Sequence, residues 1–306
     1  MGGVARCARP VLTLLSLVAL LPLVSGCSSD LAVPDASPSP SVVPGASTVP
    51  ADADAGFSAR VVLTRQRDLV DRGLVNVFTR NSTGADVIVR SRGLELSAFA
   101  APAPVQRRSP IGDGAEVALQ IAFGDVTDCT SPDPVSGTVE LAYTLGDDDT
   151  LHTASVPLTD AKVLDDIRAN VCTARLVEDA ADVSLRDATS TGETVTATLS
   201  IDRRSGGPDL QVRSLGGTVL FGVQAVDETD LPIELGTEPA SVEVPIVITV
   251  NRCDPHALAE TTKRYAVDLR VSVDGAAPRK VGLDVTVLEP LMEQALQACR
   301  VRNGDA

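Results

Sequence analysis

Tryptophan is absent from this 306-residue chain, which holds only two tyrosines, five phenylalanines and two histidines. So few rings leave no platform for stacked bases and little of the aromatic face that holds sugars. Positive charge is scarce as well: Lys and Arg total 26 against 41 Asp and Glu, a formal net charge of −15. Such a body repels phosphate backbones, which excludes nucleic acid as a partner class. Only His152 and His256 are available to serve a nucleophilic triad, and no Gly-x-Ser-x-Gly elbow occurs. The expectation is a chain that is no enzyme and needs no cofactor.

Long apolar runs are also lacking, with one exception. Residues 11–24 are almost uninterrupted apolar sequence behind Arg6 and Arg9, and Val24-Ser25-Gly26-Cys27 follows. Fourteen residues fall short of the ~20 a spanning helix needs, so residues 1–26 are read as a signal peptide. Val24-Ser25-Gly26-Cys27 resembles the lipobox of bacterial lipoproteins, an aliphatic residue and two small ones before a cysteine. That resemblance implies lipidation of Cys27, with a palmitate-type acyl anchor on the extracytoplasmic face of the cell membrane. More than one chain on a residue makes such anchoring stable. Loss of Arg6 and Arg9 with the leader would take the net charge from −15 to −17. Residues 27–56 hold Pro34, Pro38, Pro40, Pro44 and Pro50 among Ser, Ala and Asp, the composition of a disordered, extended tether.

Beyond the tether, the chain states one phrase twice. Thr79-Arg80-Asn81-Ser82-Thr83-Gly84-Ala85-Asp86-Val87 returns as Asp202-Arg203-Arg204-Ser205-Gly206-Gly207-Pro208-Asp209-Leu210. Val89-Arg90-Ser91 and Val212-Arg213-Ser214 then follow at the same displacement, 123 residues. A constant displacement across separate matches indicates a duplicated module: residues 57–176 and 177–306. Four cysteines lie in that region and allow three pairings. The duplication selects Cys129 with Cys172 and Cys253 with Cys299, because these close loops of 43 and 46 residues in matching places. Oxidised pairs suit an exported chain.

Period-two alternation of β-branched residues marks strands at Leu74-Val75-Asn76-Val77-Phe78, through residues 117–123 and through residues 242–250. Asp274-Gly275 is a hairpin signal between two further alternating runs, which extend as far as Val287. Each module closes with a short helix. Val163, Ile167 and Val171 share a face in the first, with Thr159 as the expected cap. Pro290 opens the second, whose apolar face ends at Cys299. Short, evenly spaced strands without βαβ alternation predict an all-β chain of two tandem sandwiches. In pattern and length each module resembles an immunoglobulin-like domain with an added terminal helix.

Cys253-Asp254-Pro255-His256 is similar to a stretch in uncharacterised exported proteins of actinobacteria, a resemblance that implies lineage and no activity. Asp254, His256 and Glu260 are the candidate metal ligands, since residues four apart share a helical face. The competing reading is a turn capped by Asp254 with Pro255 in the first helical position. Asp147-Asp148-Asp149 is read as a solvated hairpin turn, and His152 as an exposed strand residue. The doublets Arg107-Arg108 and Arg203-Arg204 are read as surface charge, with anion binding as the alternative. The expected role is that of a non-enzymatic envelope lipoprotein, held to the lipid membrane through acylated Cys27 and presenting its modules to an envelope protein or glycan. The alternative is a solute- or metal-binding lipoprotein using the region of Asp254, His256 and Glu260.

Overall fold

The computed structural model describes residues 56–61, 67–261 and 263–304, all within one compact unit. The leader, Cys27 and the tether up to residue 55 lie outside the described residues. The first half of the chain runs β1 (Phe57–Val61), α1 (Arg67–Val70), β2 (Leu74–Asn81), β3 (Val87–Leu96), β4 (Val105–Ile111), β5 (Glu116–Ala122), β6 (Gly137–Leu145), β7 (His152–Pro157) and α2 (Lys162–Ala180). Its strands form two antiparallel sheets, β1-β2-β5 and β4-β3-β6-β7. The second half runs β8 (Ala181–Thr191), β9 (Thr194–Arg203), β10 (Leu210–Gly216), β11 (Phe221–Ala225), β12 (Ile233–Leu235), β13 (Ala240–Val250), α3 (Pro255–Glu260), β14 (Asp268–Val273), β15 (Arg279–Gly282) and α4 (Glu289–Asn303). Its sheets are β11-β13-β9-β8 and β12-β10-β14-β15.

The two orders correspond strand for strand, with β11 added to the second. Both follow the immunoglobulin-like plan, in which the first, second and fifth strands oppose a sheet built on the third and sixth. Alternation along each strand buries one face. Val75, Val77, Leu119 and Ile121 meet Val89, Leu141 and Val156 in one core. Val195, Leu199, Ile246 and Ile248 meet Val212, Leu269 and Val271 in the other.

The repeated phrase marks a shared piece of backbone geometry. Gly84 and Gly207, 123 residues apart, both have positive φ (82° and 76°), which glycine adopts without strain. The segments Val89-Arg90-Ser91 and Val212-Arg213-Ser214 are β-bulges, where the register shifts against the neighbouring strand. In both halves the aspartate before the third strand, Asp86 or Asp209, accepts a backbone hydrogen bond from the last hairpin (2.8 and 2.9 Å).

Helix α2 departs from the sequence reading in length and in its start. It continues to Ala180 and passes directly into β8, so the expected division at 176/177 falls inside a helix. Val163, Leu164 and Ile167 pack in the first core, while Val177 and Ala180 pack in the second. Thr159 does not cap α2: its hydroxyl donates to the Ala59 carbonyl, and Ala161 stands at the cap without a side-chain bond. The last expected strand is also shorter. β15 ends at Gly282, because Asp284 bends the chain by accepting from Thr286, and Val285 and Leu288 then enter the core beside α4. Among the described residues two ion pairs cross between the halves, Arg279 with Asp166 (2.9 Å) and Lys263 with Asp71 (2.7 Å).

Candidate functional site

Each sandwich ties its terminal helix to the loop after an equivalent strand, β5 in the first and β13 in the second. Cys129 and Cys172 join that loop to α2 with Cα atoms 5.5 Å apart, and Cys253 and Cys299 join the second loop to α4 at 6.2 Å. The environments differ. Cys253 and Cys299 are buried in the second core, whereas Cys129 is exposed and Cys172 half-buried. Two disulfides place the chain in an oxidising, extracytoplasmic compartment.

Downstream of Cys253, Asp254 caps α3 by accepting from the Ala257 amide at 3.0 Å, with Pro255 in the first turn. The same carboxylate takes two bonds from the Arg252 guanidinium (3.0 and 3.1 Å). Arg252 and the Ala257 N–H together hold its pKa below the ordinary aspartate range. His256 and Glu260 approach to 3.4 Å on an exposed face of α3. Among the described residues no group of three or more His, Cys, Asp and Glu side chains gathers around a common point.

His152 differs from its expected exposure. Its ring stacks on Tyr143 (centroids 5.5 Å apart, interplanar angle 27°), and Phe57 meets the same tyrosine edge-on at 5.0 Å. The His152 Nε2 is buried without a hydrogen-bond partner among the described residues. In the neighbouring acidic turn, Asp148 accepts from the Thr150 amide and hydroxyl (2.9 and 2.8 Å). The same Asp-x-Thr arrangement closes turns at Asp128-Thr130, Asp227-Thr229 and Asp284-Thr286. It lies open in the sequence, and the strand-based reading passed over it. In all four turns the threonine's N–H and O–H depress the aspartate pKa.

The arginine doublets separate into two roles. Arg203 is 4% exposed, so the expectation of surface charge fails there. Its guanidinium donates to the carbonyls of Ala180 (2.6 Å), Gly206 (2.6 Å), Pro208 (2.8 Å) and Gly236 (3.0 Å). Arg204 donates to the Glu178 and Asp179 carbonyls at the same helix end. Together they satisfy the last carbonyls of α2, where a positive charge also meets the negative end of the helix dipole.

Arg107 and Arg108 lie on β4, exposed, and neither forms a side-chain ion pair or hydrogen bond among the described residues. They face a cleft of about 340 Å³ between the open edges of β4 and β5, lined also by Arg92, Ser109, Ala118 and Gln120. Arg92 is 2% exposed. Its Nε donates to the Gln120 carbonyl on β5 (3.0 Å), and its Nη1 to the Arg107 carbonyl (3.2 Å) and the Ser109 hydroxyl (3.0 Å) on β4. Burial first, and Arg107 second, lower the Arg92 pKa. No carboxylate lines the cleft. Arg92 was missed in the sequence analysis; the available signal was its counterpart one displacement of 123 residues on, Leu215, an apolar residue where the first half has a cation.

Among the described residues no helix is long and apolar enough to cross a membrane. No protein-family model matches this chain, and no curated protein matches it. Two solved structures are similar over most of their length. A YadV chaperone is 12% identical, with 70% of this chain and 92% of that one covered at a TM-score of 0.18. The B domain of a biofilm associated protein is 7% identical, with 74% and 84% covered, also at 0.18. At such scores neither likeness carries an argument about what this chain does.

Proposed function

We propose that this chain is a non-enzymatic envelope lipoprotein, anchored through acylated Cys27 and presenting two sandwiches on a proline-rich tether to a protein or glycan partner. The observation that carries this reading is the duplicated sandwich, each copy closed by its own disulfide, following a lipobox-like sequence. A disulfide closing a loop of this size contributes ~4 kcal/mol in the chain-entropy model. Such closure suits a display module that holds its shape outside the cell. The tether supplies reach, at ~3.1 Å per residue where it is extended.

Cross-linking in intact cells tests the proposal. The expected result is one recurrent envelope component joined to the wild-type chain and lost when Cys27→Ala releases it from the membrane. Turnover of a substrate by the purified chain, abolished by a single acidic substitution, would contradict it.

A further inference from the structure

We infer that the cleft between β4 and β5 binds a tetrahedral oxyanion, the phosphate group of a small molecule or of a lipid headgroup, through Arg92, Arg107 and Arg108. This goes beyond anchoring and presentation, and its failure would leave that reading untouched.

The duplication supplies the first argument. Arg92 and Leu215 occupy the same position, two residues beyond the bulged Arg90 and Arg213. The second sandwich places a half-buried leucine there, packed against its core. The fold therefore does not require an arginine, and burying a guanidinium is costly unless charge and hydrogen bonds compensate. Three carbonyl or hydroxyl oxygens satisfy Nε and Nη1. Nη2 has no hydrogen bond among the described residues.

Charge supplies the second argument. In a chain of net charge −15, three arginines line one cleft, and no acidic residue is among its lining. The other doublet is spent on the end of α2, so an arginine pair here has no comparable structural duty. Arg92 and Arg107 also repel one another, which an anion between them would relieve. Guanidinium forks match the oxygen geometry of phosphate, and a cleft lined by three arginines offers more donors than a single carboxylate can take up, which favours a tetrahedral anion. The cleft volume lies at the small end of the ligand-pocket range of ~300–1,000 Å³, which suits one such group.

The test uses the full chain carrying Cys27→Ala, so that acylation plays no part. Calorimetric titration with inorganic phosphate, against chloride at matched ionic strength, is expected to show saturable binding. Arg107→Ala/Arg108→Ala should weaken it roughly tenfold or more, the loss expected for charge-assisted pairs. Arg92→Leu should do the same and still fold, since the second sandwich folds around Leu215; if it unfolds, the surface double variant carries the test. Absence of saturable binding, or undiminished binding in the double variant, would overturn the inference. Phosphatidylglycerol vesicles distinguish the sources. Retention displaced by phosphate and lost in the double variant assigns a lipid headgroup, and no retention beside phosphate binding assigns a soluble phosphate. Retention indifferent to both phosphate and the variant would be diffuse attraction and would overturn the site.

Discussion

Four carbonyl oxygens converge on the guanidinium of Arg203, from the end of α2, the turn before β10 and the residue after β12. Asn81 does a reduced version of this work in the first sandwich, donating to the Ala85 and Ile111 carbonyls at 2.8 and 3.1 Å. Both side chains stand at the end of the second strand and tie down the turn that the repeated phrase encodes. Replacing Arg203 with methionine keeps bulk and removes every donor, leaving buried carbonyls unpaired. Hydrogen bonds to a charged group contribute ~1.5–3 kcal/mol each, so Arg203→Met should lower the unfolding free energy by about 3 kcal/mol or more. Urea denaturation measures it, and a change under about 1 kcal/mol would show that water replaces the guanidinium. None of this was legible in the sequence, where an Arg-Arg pair in a turn has the composition of a solvated surface.

Elements differ in how plainly their residues announce them. β5 and β13 were readable because each places a large apolar residue at every second position, Val117, Leu119 and Ile121 in one and Val242, Val244, Ile246, Ile248 and Val250 in the other. β4 was not: Val105-Gln106-Arg107-Arg108-Ser109-Pro110-Ile111 carries two charges and a proline, the features that keep an edge strand from pairing further. β8 was masked by its irregularity, since Asp187 has φ 54° and the register slips between Arg186 and Thr189. α2 was cut short because its buried face rotates from one core to the other, so no single stripe runs its length. The helices also set the fate of the disulfides they carry. Cys129 is exposed while Cys253 and Cys299 are buried, so a graded series of a thiol reductant should open Cys129–Cys172 first. Trapping the freed thiols by alkylation and mapping the peptides reads the order; simultaneous opening would contradict it.

At the scale of the whole molecule, acid and alkali act on different groups. The carboxylates of Asp128, Asp148, Asp227, Asp284, Glu116, Asp166, Asp254 and Glu293 all have folded pKa values below their ordinary ones. Stability from these groups is complete above the unfolded values of ~4 and is lost as the pH falls through the folded ones. Tyr143 and Tyr265 move the other way. Burial raises both, and the bond to Glu293 adds to the rise that takes Tyr265 to about 12. Their contribution is complete below the unfolded value of ~10 and is lost as the pH rises toward the folded values. The urea midpoint should therefore hold steady between about pH 5 and pH 9 and fall on both sides. A midpoint still level at pH 11.5, about half a unit short of the Tyr265 value, would contradict the alkaline limb.

The halves share α2, which packs in both cores, and among the described residues Arg279–Asp166 and Lys263–Asp71 join them, so under the proposed function they would be presented together. That arrangement has its proposed purpose only if the chain is held at a membrane. Metabolic labelling with palmitate, followed by membrane fractionation of wild-type and Cys27→Ala cells, tests this most directly. The account predicts a labelled, membrane-bound wild type and an unlabelled variant in the soluble fraction. An unlabelled wild type, or equal partitioning of the two, would contradict it.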